Sequence, residues 1–392
     1  MRLGVYSDLA YRVDGELVST HQAFIRFVTS LPPRVDEVVL FGRVDPQPGR
    51  SHYVLPSERV RLVPLPHYPS VTDLRGQARA LRGTVGAFAA EASRLDAAWI
   101  FGPHPMAVAL ALAARRRGVP LFLGVRQDYP EYIRNRLPSR AWAPAVPVAV
   151  ALERTFQALA RRSPAVVLGE ELARKYRGAG AKTLSTGFSL IGEGDLVAVE
   201  EALARPWDGE IVVLSVGRLA REKNPLLLLD ILARLRERGP WRLIVVGDGP
   251  LAPALEERAA ELGIAHAVEF RGYVRSGPEL WRLYREAHAF LHVSLTEGLP
   301  QVLWEAQAAG LPVVATDVGG VRGALGESGA PLVPPADVEA AAVALERLRD
   351  DVALREGTIR AGSENAARET LDVQLDRIAA FFRAELDATV RA

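Results

Sequence analysis

Cysteine is absent from the 392-residue chain. That excludes a disulfide framework, a thiol nucleophile and cysteine-ligated zinc or iron–sulfur centres. Long apolar runs are missing too. The best candidates, residues 106–114 and 141–152, fall short of the ~20 residues that cross a bilayer, and prolines interrupt the second. The opening MRLGVYSDLAYRVDGE meets acidic residues early and has no apolar core, so no secretory signal is expected. Lysine is scarce, with three against 45 arginines. What is present, 49% hydrophobic and 24% charged residues, is a globular composition and excludes a disordered or collagen-like chain. The length predicts two domains.

Net charge is +1 and hides a division. Residues 1–187 carry 26 basic and 15 acidic side chains, a balance of +11, and residues 188–392 carry −10. Either the halves meet different partners or two solvated surfaces differ by drift. Arg134, Arg136 and Arg140 cluster beside Tyr129, Tyr132 and Trp142, and Arg115–Arg117 and Arg161-Arg162 end two helix patterns. Such a surface can hold a protein on an anionic membrane. The competing view has the arginines balancing the acidic half. No nucleic-acid module with interleaved aromatics is visible, so nucleic acid is not expected as a partner. The expected location is cytoplasmic, with peripheral contact at the inner membrane face as the variant to test.

Short β-branched runs alternate with longer helical patterns. Strands are predicted at 2–6, 37–41, 98–101, 120–125 and 165–168, then at 211–216, 243–246, 268–270, 289–293 and 313–315. Helical patterns separate them, for example at 108–117, 150–161, 225–238, 251–262, 278–287, 300–309 and 338–349. Alternation of this kind predicts an α/β fold of two doubly wound, Rossmann-like domains facing across a cleft. The expected limits are 1–187, 188–369 and a carboxy-terminal helix over 370–392 with an apolar stripe. In such folds the ligand crevice lies at the carboxyl ends of the strands.

Four strand-to-helix loops in the second half carry chemistry. In SVGRLAREKNP, Gly217 permits a turn, Pro225 opens a helix, and Arg218 and Lys223 lie between. A helix start flanked by two cations suits a diphosphate. In a chain that otherwise writes Arg, a lysine at 223 suggests a point contact to phosphate rather than a solvated loop. VGDGP places Gly247 and Gly249 after a strand, where a plain turn explains them nearly as well as close ligand approach. HVSLTEGLPQVLWEAQAAG holds Ser294, Glu297, Gly298, Leu299 and Pro300 in the loop and Glu305 in the following helix. Two carboxylates at different depths suit two diol-bearing parts of one ligand, such as a ribose and a sugar, against a merely solvated Glu305. No Asp-x-Asp or His cluster completes a metal shell beside them, so no metal is expected. In PVVATDVGGVRGAL, Gly319 and Gly320 precede a helix and permit backbone contact to phosphate or sugar.

In this order the loops resemble the retaining glycosyltransferases of family 4, which have the GT-B fold. The family's G-R-x4-K loop corresponds to Gly217-Arg218 through Lys223, and its E-x7-E element to Glu297 through Glu305 with Ser294 before it. Its Gly-Asp-Gly turn and Gly-Gly correspond to Gly247–Gly249 and Gly319-Gly320. The resemblance covers about residues 166–330. It implies that Arg218 and Lys223 hold a donor diphosphate, that Glu297 contacts the transferred sugar and that Glu305 holds the ribose. Departures are Gly298-Leu299-Pro300-Gln301 in place of Gly-Phe-Gly, Arg322-Gly323 in place of Pro-Glu, and Ser7-Asp8-Leu9-Ala10 where the family has an amino-terminal Gly-Gly loop after the first strand. On the acceptor side His104, in IFGPHPMA, is the candidate catalytic histidine, against a capping role. Asp8, Arg126 and Asp128 are placed at the same crevice, against a structural Arg126–Asp128 contact.

The resemblance implies a metal-independent transferase without a cofactor. It would move a sugar from a nucleotide diphosphate sugar to an acceptor hydroxyl with retention. A UDP-sugar is the first donor, with GDP- and ADP-sugars as alternatives, and the acceptor is a saccharide, a lipid-linked compound or a small molecule. A nucleotide-sugar epimerase on the same fold and a non-catalytic nucleotide-sugar-binding protein are the rivals. A dinucleotide oxidoreductase would need a glycine-rich fingerprint that is missing.

Overall fold

The computed structural model describes residues 1–32, 34–47, 49–56, 58–69, 73–134 and 143–391. The chain divides into two units, Met1–Leu190 together with the chain from Val373 on, and Ile191–Asp372. The division falls three residues after each limit expected from the sequence.

The first unit contains β1 (Arg2–Asp14), β2 (Leu17–Thr20), α1 (Phe24–Thr29), β3 (Glu37–Val44), β4 (Tyr53–Val54), β5 (Val60–Leu65), α2 (Leu74–Glu91), β6 (Ala97–Gly102), α3 (Pro105–Arg116), β7 (Leu121–Val125), α4 (Tyr129–Arg134), α5 (Ala145–Ala160), β8 (Ala165–Leu168), α6 (Glu170–Gly178) and β9 (Thr183–Thr186). Its parallel strands run in the order β5-β3-β1-β6-β7-β8-β9. The apolar runs of β6 and β7 are buried along nearly their whole length, as a sheet covered on both faces requires.

Residues 7–10, expected as a loop, are strand. β1 continues to Asp14, with an irregular register against β3 between Tyr6 and Ala10, and its far end pairs antiparallel with β2. Buried Tyr11 and the β2–β4 ribbon give that extension partners, so the chain does not turn after Tyr6.

The second unit contains α7 (Val199–Leu203), β10 (Ile211–Val216), α8 (Leu226–Arg236), β11 (Trp241–Val246), α9 (Ala252–Glu261), β12 (Val268–Phe270), α10 (Pro278–Glu286), β13 (Ala289–His292), α11 (Gln301–Ala308), β14 (Val313–Thr316), α12 (Val321–Leu325), β15 (Leu332–Val333), α13 (Val338–Asp350) and α14 (Val352–Arg368). All its strand pairs are parallel, in the order β12-β11-β10-β13-β14-β15. The order reverses between β10 and β13, which makes their carboxyl ends a topological switch point. In the first unit the same reversal lies between β1 and β6.

The last helix, α15 (Leu371–Arg391), belongs to the first unit from Val373 on. Phe382 is fully buried, its ring centroid 5.2 Å from Trp99 and 4.2 Å from Phe122. Gln374 accepts hydrogen bonds from Thr186 Oγ1 (2.9 Å) and the Ser189 amide (3.1 Å).

Candidate active site

At the switch point of the second unit, β10 gives way to Gly217 and a single 3-10 turn, Arg221–Lys223. Asn224 then adopts the left-handed conformation (φ 50°), which asparagine tolerates better than most residues. Pro225 precedes α8. The turn brings Lys223 to the loop after β13. That loop is held by backbone: the Leu295 amide donates to the Glu222 carbonyl (2.9 Å), and Thr316 Oγ1 donates to the Ser294 carbonyl (2.7 Å).

Glu297 is the centre of the cluster. Its Oε1 accepts from Lys223 Nζ and Ser294 Oγ, each at 2.6 Å, and His292 Nε2 lies 2.9 Å from the same oxygen. The carboxylate is only 6% exposed. Burial pushes its pKa up, but the contact with His292 and the charge of Lys223 outweigh burial and pull it from 4.5 to about 2. Glu297 is therefore ionised at neutral pH. Its stabilising contribution is present above about pH 4.5 and is lost as pH falls toward 2. The shift corresponds to about 3 kcal/mol. Glu297→Gln should lower the melting temperature at pH 7, and the gap to the native protein should narrow as the pH is taken below about 4.5 toward 2. A gap independent of pH in thermal unfolding would contradict the assignment.

A cavity of about 290 Å³ opens beside this carboxylate. Of the candidates, Gly217, Arg218, Lys223, Ser294, Glu297, Leu299 and Pro300 line it, and His292 and the first turn of α11 complete it. The volume is at the small end of ligand pockets. At the starts of α8 and α11 the Leu227, Leu228 and Leu303 amides donate locally, to the Asn224, Pro225 and Pro300 carbonyls, and the positive ends of both helix dipoles lie at the cavity. The two expected cations are not bare. Besides the Lys223–Glu297 pair, Arg218 NH2 meets Glu222 Oε1 at 2.6 Å. The Arg218 pair is exposed and therefore weak, so an anion can displace its carboxylate. Lys223 has three donors and spends one on Glu297.

Four candidate glycines stand where neighbouring loops approach each other closely. A Cβ at Gly247 would lie 1.8 Å from the Gly217 carbonyl oxygen, and one at Gly249 would lie 2.4 Å from that of Leu219. At Gly319 and Gly320 it would lie 2.0 Å from the Glu297 oxygen and 1.7 Å from the Gly298 oxygen. These glycines let neighbouring loops pack backbone to backbone, and none of the four lines the cavity. Gly298 does not line it either; its carbonyl lies against Gly320, whose amide donates to the Glu297 carbonyl (3.3 Å). Glu305 sits half-buried on α11 and accepts a 2.8 Å hydrogen bond from Tyr284 Oη through Oε2, rather than lining the cavity with Glu297.

The remaining candidates lie in the first unit. His104 stands at the amino end of α3, 7% exposed, its ring 5.6 Å from that of Tyr6. Burial lowers its pKa, which favours the neutral ring. Asp8, inside β1, pairs with Arg43 Nε (2.9 Å) and accepts from Tyr68 Oη (2.6 Å). Asp128 accepts from the Glu131 amide (3.1 Å) and pairs with Lys175 (2.7 Å), so the alternative of an Arg126–Asp128 contact is not realised. Arg126 instead lies over the Phe24 ring. Arg136, Arg140 and Trp142 fall outside the described residues. Among the described residues no group of three or more His, Asp or Glu could hold a metal, and no helix is long and apolar enough to cross a membrane.

His292 is the site residue that sequence reasoning missed. Its one signal is a polar side chain at the carboxyl end of an otherwise apolar strand.

Residues 210–351, which include this whole cluster, match the family model described as Glycosyl transferases group 1. A GDP-mannose-dependent alpha-mannosyltransferase of Mycobacterium tuberculosis is 31% identical over 306 residues, 73% of this chain and 72% of that protein. The chain belongs to the group 1 glycosyltransferases. Alignments to other glycosyltransferases span less of their length, 45% and 31% for two of them, so the chain covers under half of those relatives. Sucrose-phosphate synthase from Thermosynechococcus elongatus superposes with a TM-score of 0.74 at 20% identity, over 99% of this chain and 100% of that one. Anabaena HepE, in complex with UDP and glucose, superposes with a TM-score of 0.69 at 17% identity, over 98% and 100%. At such identities the likeness concerns the fold, which is GT-B: two Rossmann-like domains in one glycosyltransferase chain.

Proposed function

We propose that this glycosyltransferase moves a sugar from a nucleoside diphosphate sugar to an acceptor hydroxyl, retaining the configuration at the anomeric carbon. The observation that carries the reading is the Glu297–Lys223 pair in a cavity at the switch point, with Arg218 in its wall. Lys223 bridges from Glu297 Oε1 to a diphosphate oxygen. Arg218 exchanges Glu222 for the same leaving group, and the positive dipole ends of α8 and α11 favour its charge. Together they stabilise the charge that develops as the bond from C1 to the phosphate oxygen breaks. The two donors to Glu297, Lys223 and Ser294, both use Oε1, and His292 approaches the same oxygen, which leaves Oε2 to accept from a sugar hydroxyl. The acceptor oxygen bonds to C1 on the face the diphosphate leaves, and its proton passes to the departing phosphate oxygen.

UDP-sugars are the first donors to test, because HepE is described with UDP and glucose, and GDP-sugars the second, because the mycobacterial relative is named for GDP-mannose. Turnover with one donor class, undiminished by EDTA because the cations neutralise the leaving group, is the expected result. Loss of turnover restored by Mg²⁺ would overturn the metal-independent reading. An epimerised donor with no acceptor product would instead indicate an epimerase.

Peripheral membrane contact is part of the proposal. Its support is the apolar start of α5, where Val148 is 57% exposed, together with Arg134 at the end of α4. Co-sedimentation with anionic but not neutral vesicles, weakened by salt, is expected. No binding at low salt would remove it.

A further inference from the structure

The first unit holds a cation that the proposed donor chemistry does not use. Arg126 directly follows β7, and its guanidinium carbon lies 3.8 Å from the centroid of the Phe24 ring. Among the described residues no carboxylate pairs with it. The two acidic candidates on this edge are committed elsewhere, Asp128 to Lys175 and the Glu131 amide, Asp8 to Arg43 and Tyr68. Burial pulls the Arg126 pKa from 12.5 to about 10, and Tyr132 is the group that pulls the other way. A half-buried charge without a counter-charge is costly, and a guanidinium fork is made for a bidentate oxyanion.

The surroundings are those of a binding edge. Gly102 and Val125 are in register, so His104 and Arg126 follow neighbouring strands at the same carboxyl edge of the sheet. On the other side of β6, Tyr6 is in register with Ile100, which places Ser7 beside them at the first unit's own switch point. Both ring nitrogens of His104 are buried without completing a hydrogen bond, although the Phe101 backbone bears on the ring.

We propose that this edge binds an acceptor bearing an oxyanion, a phosphate or a carboxylate, which Arg126 grips by both guanidinium arms. His104 then offers a ring nitrogen to a neutral hydroxyl of the same compound. This rests on the transferase reading for the word acceptor, but the anion site stands on Arg126 alone.

The test uses the full chain saturated with UDP, with ionic strength matched by sodium chloride. Inorganic phosphate and acetate are the probes, and melting temperature is the readout. Phosphate should raise the melting temperature of the native protein by about 2 °C or more. Arg126→Lys, which keeps the charge, should retain part of that shift, and Arg126→Gln should lose it. A shift with phosphate alone assigns a phosphorylated acceptor, and shifts with both probes assign any oxyanion. Equal shifts in native protein and Arg126→Gln, or none in either, would overturn the proposal. Arg218→Ala should weaken UDP binding yet keep the Arg126-dependent shift, which separates failure of the donor reading from failure of this one.

Discussion

Lys223→Ala is expected to lower kcat/KM by about two to three orders of magnitude, the usual effect of removing one preorganised donor from a developing oxyanion. Two losses combine. The diphosphate loses a cation, and Glu297, 6% exposed, loses the charge that offsets its burial. With one of its lowering partners gone, the Glu297 pKa should rise and the acid limb of the pH–rate profile should move to higher pH. Calorimetry with UDP and with GDP should find weaker binding of whichever nucleotide the native protein takes. Unchanged diphosphate affinity together with unchanged turnover would remove Lys223 from the site. Lys223→Arg should not rescue, because Nζ already reaches Glu297 at 2.6 Å and a guanidinium needs more room in a 290 Å³ cavity.

Gly320→Ala is expected to destabilise the second unit by about 2–4 kcal/mol and to lower kcat more than tenfold. The φ of Gly320 is −80°, which any residue adopts, so the effect isolates the 1.7 Å approach of a new methyl to the Gly298 carbonyl. Backbone must move, and that backbone follows directly on Glu297. Gly298→Ala is the internal control, since its Cβ would meet nothing within 4 Å. Chemical denaturation of the two variants separates them. Equal stability would show that the loops yield more easily than their close approach indicates.

The two substitutions also mark what could be read in the sequence. Strand-to-helix loops were legible because a β-branched run, a glycine and a proline-started helix form a local pattern. β8, β10 and β12 occupy the residues expected of them. β13 and β14 came out within one residue. β1 was expected to stop at Tyr6 because its extension is stabilised by β2 and β4, short strands whose pairing no local pattern announces. The cluster residues were legible by type, but their partners were not. That Lys223 meets Glu297 across 74 positions, and that the glycines face backbone, are consequences of strand order and loop packing. His292 was hidden because a strand residue reveals its exposure to a cavity only once its neighbours are in place.

The return of α15 to the first unit has a consequence for how the protein is made. Residues 191–372 lie between the parts of that unit, so Trp99 and Phe122 leave the ribosome before Phe382, which covers them, has been translated. At roughly 5–20 residues per second the interval is on the order of 15–55 s. During it the nascent first unit offers an apolar surface to chaperones, and a chain truncated before α15 would leave that surface permanently open to degradation.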